Sequence, residues 1–249
     1  MFSTQWSVHE LAKRQFLFKL NANGPIFTML ILLQIIATVF LGGASTSGYE
    51  SYDDPFSFVY STVSNDGQIG LTLFWAFIVG FLLTSSAQRN ESFAFVTNRL
   101  TFQLGNFYFF CAAALLGGVT TVLLGSVMKI ITLFSDNAII ESAGLFSAPL
   151  DFFSQIYAMT VYTLLLMLIG YTIGTFIQLS RLFIMLFALI WIAVTQYSFF
   201  MLGTSAGELL HVFYGETSIL LFTLKVLLLV GILFGLSFWV TNRLEVRNP

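Results

Sequence analysis

The chain has 249 residues, of which 57% are hydrophobic and only 9% are charged, with a formal net charge of -2. A soluble domain carries about 25% charged residues, and so few charges cannot cover a water-exposed surface of this size without large apolar patches. The composition therefore excludes an ordinary soluble protein and predicts an integral membrane protein.

The first 25 residues contain a predicted amphipathic helix. Ser7 and Glu10 fit the capping-box pattern, in which a hydroxyl caps the helix and a carboxylate three residues later closes it. The apolar side chains that follow cluster on one side of a helical wheel: Val8, Leu11, Ala12, Phe16 and Phe18. We expect this helix to lie along the inner membrane surface. A short cytosolic helix without membrane contact is the alternative.

Six apolar stretches are long enough to cross a bilayer, because about 20 apolar residues span a hydrocarbon core of about 30 Å. Strands with open edges are excluded there, since lipid cannot hydrogen-bond an unpaired backbone amide. The predicted spans cover about 26–43, 70–86, 107–128, 155–178, 182–202 and 218–240. We therefore expect one all-α transmembrane domain over residues 1–249. A cleavable signal peptide is disfavoured as the alternative for the first span, because the preceding region of 25 residues is long.

The basic residues set the predicted orientation. With the N-terminus inside, the inner segments hold eight of the ten basic residues: Lys13, Arg14, Lys19, Arg89, Arg99, Arg181, Arg243 and Arg247. The outer segments then hold nine of the twelve acids: Glu50, Asp53, Asp54, Asp66, Asp136, Glu141, Asp151, Glu208 and Glu216. This predicts a multi-pass protein of the plasma membrane with both termini in the cytoplasm. The outer segments 44–69 and 129–154 are long enough to form small lids over the helix ends.

The inner loop, 87–106, carries aromatic and charged residues that a simple connection would not need. Asn90 can cap a short helix, with Glu91 near its positive end. Aromatic anchors and arginine dominate interface energetics, so we predict that this loop docks another protein. A helix resting on lipid headgroups is the alternative. The predicted docking residues are Arg89, Asn90, Glu91, Ser92, Phe93, Phe95, Val96, Asn98 and Arg99.

Three polar side chains inside the spans, Gln34, Gln196 and Lys225, are candidates for a substrate path. Each glutamine needs a hydrogen-bond partner in lipid, and bonding between helices is favoured over substrate contact. Lys225 lies about 10 Å inside the outer end of its span, at 1.5 Å per residue. It is predicted either to face the cavity between subunits or pair with Glu208 or Glu216, or to extend to the outer headgroups.

Two spans carry glycine pairs at four-residue spacing, Gly170 with Gly174 and Gly231 with Gly235. Such pairs let helices approach closely in lipid, and they predict packing within one subunit or between two. The segment 203–217 is semi-apolar and bounded by glycines. It is predicted to be extracellular, either dipping into the outer leaflet as a re-entrant helix or forming an ordinary surface loop.

Six spans with both ends inside, a surface helix before the first span, and the stretch 92–101 (SFAFVTNRLT) resemble the permease subunits of ABC-2-type ABC transporters. The resemblance covers the whole chain in architecture and is specific only over this loop. It implies an ABC-2 (ABCG-like) exporter-type transmembrane domain whose loop 87–106 packs on a separate ATP-binding subunit. It also implies a second permease copy or a related permease.

The chain itself contains no G-x-x-x-x-G-K-[ST] phosphate loop. In this interpretation ATP and Mg bind the partner subunit, and the chain holds no cofactor of its own. We expect no catalytic residues, no metal site and no nucleic-acid partner. Metalloprotease chemistry needs a cluster such as H-E-x-x-H, whereas His9 and His211 fall on opposite sides of the predicted membrane, and no span holds paired carboxylates.

Two functions from other classes stay open. An ATP-independent carrier or channel usually holds ionisable residues near mid-membrane, where this sequence offers Lys225 and little else. A non-transporting immunity or scaffold protein could share the same layout of spans.

Overall fold

The computed structural model describes residues 7–40, 45–51, 57–63, 65–85, 88, 99–132, 138–140, 145, 148–180, 182–200 and 218–243. In this part of the chain the helices are α1 (Val8–Ala22), α2 (Gly24–Phe40), α3 (Asp66–Leu82), α4 (Arg99–Thr132), α5 (Pro149–Leu179), α6 (Leu182–Phe200) and α7 (Ile219–Arg243). The strands are β1 (Ser45–Ser51), β2 (Ser57–Val63) and β3 (Ala138–Ile140). The predicted helical class is confirmed, and each predicted span falls on one of the helices α2 to α7.

Several helices are long and apolar enough to cross a membrane. Within the described residues, Leu100–Met128, Pro149–Leu179 and Ile219–Thr241 each meet this condition, and α1 with α2 adds a fourth candidate if the bent pair counts as one span. Helix α3 is apolar but has only 17 residues. These helices indicate a membrane protein with three to four candidate spans, while the count of six stays a prediction.

Helix α1 begins at the predicted capping box, which is confirmed. The Ser7 hydroxyl accepts a hydrogen bond from the Glu10 backbone N–H at 3.3 Å, and the Glu10 carboxylate accepts one from the Ser7 backbone N–H at 3.0 Å. This backbone hydrogen bond favours the charged carboxylate and holds the pKa of Glu10 below its ordinary value. The helix ends at Asn23, where the chain bends by 53° into α2.

Hydrogen bonds between distant residues define the two ends of the helical bundle. At one end, the α1 end, the Gln88 side chain donates to Asn23 Oδ1 at 2.8 Å. At the other end, the sheet end, Asn65 Nδ2 donates to the Thr121 carbonyl at 3.2 Å. Helices α2 and α4 run from the α1 end to the sheet end, whereas α3, α5 and α7 run the opposite way. Helices α5 and α7 are therefore parallel, with Tyr157 beside Thr223 and Thr172 beside Ser237.

The two predicted outer lids meet in one three-stranded sheet. Strand β1 pairs antiparallel with β2, from Ser45 opposite Val63 to Ser51 opposite Ser57. Strand β2 pairs in parallel with β3, with Ser61 beside Ala138 and Val63 beside Ile140. The sheet therefore joins the connection between α2 and α3 to the connection between α4 and α5.

The core lies where α3 packs against α5 and α4. Its largest fully buried side chains include Trp75, Phe109, Phe110 and Tyr171. The Trp75 indole N–H donates to the Ile26 carbonyl at 3.1 Å, which fixes α2 against α3. Helix α6 lies at the edge of the bundle, and its described side chains contact α5 mainly through stacked phenylalanines at the α1 end.

Glycines set the spacing between α3 and α5. A Cβ atom added at Gly80 would overlap the Met167 carbonyl oxygen, and one added at Gly170 would overlap the Phe77 carbonyl oxygen. Both obstacles are backbone atoms, so neither helix can yield by a side-chain rotation. The two helices therefore touch backbone to backbone, the arrangement that small residues permit in membranes.

Candidate functional site at the α1 end

The predicted docking loop lies at the α1 end, although residues 89–98 fall outside the described part of the chain. Of the nine predicted docking residues, Arg99 is the one that the structure places, as the first residue of α4. On the other flank, Gln88 is held by Asn23, at the bend between α1 and α2. The segment between Gln88 and Arg99 therefore leaves from and returns to the same end of the bundle.

Lys19 is buried beside this loop. Its side chain is only 1% exposed, and Nζ donates a hydrogen bond to Asn106 Oδ1 on α4. The ammonium group also lies 4.1 Å from the centroid of the Phe102 ring, within the range of a cation–π interaction. Burial nevertheless penalises the charged form and lowers the pKa of Lys19 to about 7.

From Lys19 and Asn106, a chain of hydrogen bonds continues through three more side chains. Asn106 Nδ2 donates to the Tyr171 hydroxyl at 2.9 Å, and this hydroxyl donates to Gln103 Oε1 at 3.2 Å. Gln103 Nε2 then donates to Thr241 Oγ1 at 2.8 Å. We call these five residues the Lys19 chain. All five are more than nine-tenths buried, and together they connect α1, α4, α5 and α7.

A small cavity adjoins the Lys19 chain. Its volume of about 10 Å³ suits about one water molecule. Tyr171 and Thr241 line it on one side, and Thr84, Thr175 and Gln178 supply further polar groups. The half of the bundle nearer the α1 end is thus polar in its centre, where four helices meet.

The face of α1 that packs on α4 carries a stripe of mostly polar buried residues. Ala12, Gln15 and Lys19, spaced by three and four residues, are its buried members. Neither amide atom of Gln15 has a hydrogen-bond partner among the described residues. Nearer the start of α1, His9 Nδ1 lies 3.2 Å from the Tyr108 hydroxyl.

This stripe differs from the apolar side predicted for α1. Of the five residues on that side, Ala12 alone is buried, while Val8 and Phe18 are exposed. The reason lies on α4, where Gly105 leaves room for the Gln15 side chain and Phe102 offers its ring to the Lys19 amine. The predicted apolar side was chosen by hydropathy and so included neither Gln15 nor Lys19.

Gln34, one of the three predicted path residues, lies in a second polar cluster nearer the sheet end. Its side chain is 3% exposed, and Nε2 donates to Thr120 Oγ1 at 2.9 Å and to Thr121 Oγ1 at 3.2 Å. Thr121 Oγ1 lies 2.8 Å from Thr72 Oγ1 on α3. Gln34 therefore joins three helices through hydroxyl groups.

Replacing Gln34 by methionine is expected to lower the free energy of unfolding by about 1 kcal/mol, since interhelical hydrogen bonds in membranes are individually worth about 0.6 kcal/mol. The cost stays small because Thr120 and Thr121 also donate to the carbonyls of their own helix. Unfolding in mixed micelles measures it. Ile35→Met, at an exposed neighbouring position, is the matched control and should change stability by less than about 0.5 kcal/mol. Equal losses in both variants would contradict a bonding role for Gln34.

The other two predicted path residues belong to α7 and α6. Lys225 is half-buried on α7, two residues after Thr223, whose hydroxyl lies 2.9 Å from that of Tyr157. Gln196 belongs to α6, but its side chain is outside the described part, as is the segment 203–217.

The two glycine pairs occupy different surroundings. Gly170 and Gly174 are buried against α3, where an added Cβ would overlap Phe77 and Thr84 respectively. A Cβ at Gly231 or at Gly235 would meet no described atom within 4 Å. The first pair therefore packs within the subunit, and the second lies on an open face of α7.

Comparisons of the chain with protein-family models, with curated proteins and with solved structures find no match. Among the described residues, no three His, Cys, Asp or Glu side chains converge as a metal site would require. Support for a function therefore comes from the residues at the α1 end and their geometry.

Proposed function

We propose that the chain is the membrane-spanning permease subunit of an ATP-driven ABC transporter, with export as the expected direction. In this proposal α2 to α7 are six spans, and the α1 end faces the cytoplasm with both termini. The resemblance of the stretch 92–101 to ABC-2-type permeases supports it, and so does the coincidence of six helices with six apolar stretches.

The distribution of charge supports this orientation. The α1 end includes Lys13, Arg14, Lys19 and Arg99, whereas Asp66 and Asp151 begin helices at the sheet end. Basic residues are retained on the cytoplasmic side of membrane proteins. The sheet would then cover the outer face.

The observation that carries the proposal is the anchoring of the docking loop. Gln88 is bonded to Asn23 on one side, and Arg99 begins α4 on the other. A protein bound to residues 89–98 would therefore act on the ends of α3 and α4 and on the bend between α1 and α2. Because α3 touches α5 through Gly80 and Gly170, a displacement of α3 would carry α5 with it.

The partner in this mechanism is a separate ATP-binding subunit, which holds ATP and Mg. Its closure would tilt the paired helices of two permease copies as rigid bodies. The docking loop must bind the partner differently in the open and closed states, because a ligand shifts an equilibrium only by its differential affinity. This chain supplies the path and the contact surface.

The test is reconstitution with ATP-binding subunits encoded beside the gene. Phe95→Ala is expected to weaken ATPase binding by about 30-fold, which corresponds to the loss of about 2 kcal/mol from an aromatic anchor. Phe153→Ala, on an exposed position at the sheet end, is the matched control and should leave binding unchanged. The measurement is co-purification titrated against the concentration of the ATPase.

A photo-cross-linking residue at position 95 gives the decisive outcome. Capture of the ATP-binding subunit supports the proposal. Capture of phospholipid alone in the reconstituted complex would overturn it, because the loop would then rest on headgroups.

An ATP-independent carrier driven by protons is the second candidate. The observation that favours it is Lys19, a buried ionisable group in a connected polar chain, which the sequence alone did not place inside the bundle. Transport by proteoliposomes that contain the purified chain, no ATPase and a pH gradient would select this candidate.

A further inference from the structure

We propose that α1 is a latch whose docking on α4 is controlled by the protonation of Lys19. This inference does not depend on the proposed transport function, since it concerns only how α1 is held to the bundle. It rests on the packing of α1, on the surroundings of Lys19, where no described residue supplies an acid, and on the position of Asn23.

Polar side chains buried between α1 and α4 have few hydrogen-bond partners among the described residues. Gln15 is 4% exposed and bonds to no described residue, and Lys19 is 1% exposed with one hydrogen-bond partner, Asn106. Buried polar groups without full partners weaken an interface. The opposite face of α1 exposes Leu17 and Phe18 beside Lys13, a combination suited to a membrane surface. The helix thus has a second environment available when it leaves α4.

No acidic side chain among the described residues faces Lys19 to balance its charge. Facing it are Phe102 and Asn106 from α4, with Tyr171 from α5 behind Asn106. Helices α2, α4 and α7 contain no Asp or Glu at all, and the acids of α3 and α5 are at the sheet end. The described titratable groups of α1 are His9, Glu10, Lys13 and Arg14, and Tyr108 of α4 lies beside His9. The side chains of Arg99 and Arg243, and the residues Arg89, Glu91 and Glu245, are outside the described part.

Within the described residues, a docked, protonated Lys19 is therefore stabilised only by an amide oxygen and an aromatic face. Docking shifts the pKa of the amine from 10.5 to about 7, so the docked helix binds the proton more weakly than the released helix. Docking consequently strengthens as the pH rises from 7 towards 10.5, by up to tenfold in its equilibrium constant per pH unit. Below pH 7 both states carry the proton, and the dependence fades.

Asn23 would couple the docked or released state of α1 to the docking loop. Its side-chain amide donates to the Lys19 carbonyl at 2.9 Å, and its Oδ1 accepts the hydrogen bond from Gln88. Release of α1 would therefore disturb the bond between Asn23 and Gln88, which directly precedes residues 89–98. A mild acidification at the α1 end would loosen this loop.

The experiment measures the distance between spin labels at two exposed sites, Val8→Cys on α1 and Leu116→Cys on α4. The labels are introduced in a Cys111→Ala background in lipid nanodiscs, spin-diluted with unlabelled protein. We expect a docked population and a released population, with their ratio rising about fivefold from pH 7 to pH 8. Lys13→Met removes an exposed lysine from the same helix and should keep this dependence.

Lys19→Met and Lys19→Gln are the informative variants. Lys19→Gln retains a donor towards Asn106, so it tests titration even if Lys19→Met does not fold. Both variants are expected to show a docked fraction that is high and independent of pH between 6 and 9. A ratio that does not change with pH in the unmodified helix, or a dependence that persists in Lys19→Gln, would overturn the proposal.

Discussion

Replacing Gly80 by alanine is expected to lower the free energy of unfolding by about 3 kcal/mol, the upper range for overpacking a tight contact. The new methyl group would overlap the Met167 carbonyl oxygen. Because that oxygen belongs to a helix backbone, α3 and α5 must separate to accept it, and the neighbouring contact at Gly170 would open as well. Reversible unfolding in mixed detergent and SDS micelles measures the change.

The matched control for this substitution is Gly231→Ala on α7, where the added methyl group meets no described atom within 4 Å. Its effect is expected to stay within about 0.5 kcal/mol. A loss at Gly231 as large as that at Gly80 would show that the open face of α7 is covered, as it would be by a second copy of this chain. A negligible loss at Gly80 would contradict the backbone contact between α3 and α5.

The second large effect is expected at Asn106. Changing it to leucine removes the only described acceptor for the buried Lys19 amine and the donor to the Tyr171 hydroxyl. Leaving a buried charged group without its partner costs roughly 3 kcal/mol or more. At pH 7 this cost should appear as a lower free energy of unfolding.

A double substitution separates this cause from simple misfit of leucine. Combining Asn106→Leu with Lys19→Met removes both polar partners, and apolar replacement of a buried pair is often neutral. We expect the double variant to recover most of the lost stability, whereas Lys13→Met combined with Asn106→Leu should recover none. Equal stability of the two double variants would show that Lys19 and Asn106 are not coupled.

The sequence predicts the helices well because each one is a long apolar run, and the hydrocarbon core imposes a minimum length on it. The start of α1 was also predictable, since Ser7 and Glu10 satisfy backbone groups within four residues of each other. These features depend on local sequence alone. Helix α3 was placed correctly for the same reason, although it begins at Asp66, four residues before the predicted position.

The Lys19 chain could not be predicted, because it joins residues separated by up to 138 positions. In the sequence, Lys19 is one of several basic residues before the first span, and Tyr171 is one aromatic residue in an apolar run. The strands were missed for a different reason. Serines interrupt the β-branched and aromatic residues of β2, so residues 57–63 lack a clear alternation. Their pairing with β3 is also distant in the chain.

The parallel pairing of β2 with β3 limits how the protein can change shape. Strand β2 precedes α3, and β3 precedes α5, so the two helices are joined at the sheet end by the pairing of these strands and again within the bundle by Gly80 and Gly170. Because the two helices are connected at two positions along their length, neither can tilt without the other. In a conformational change, α3 and α5 must therefore move together as one rigid unit. The remaining movement is taken up by the peripheral helices α1 and α6.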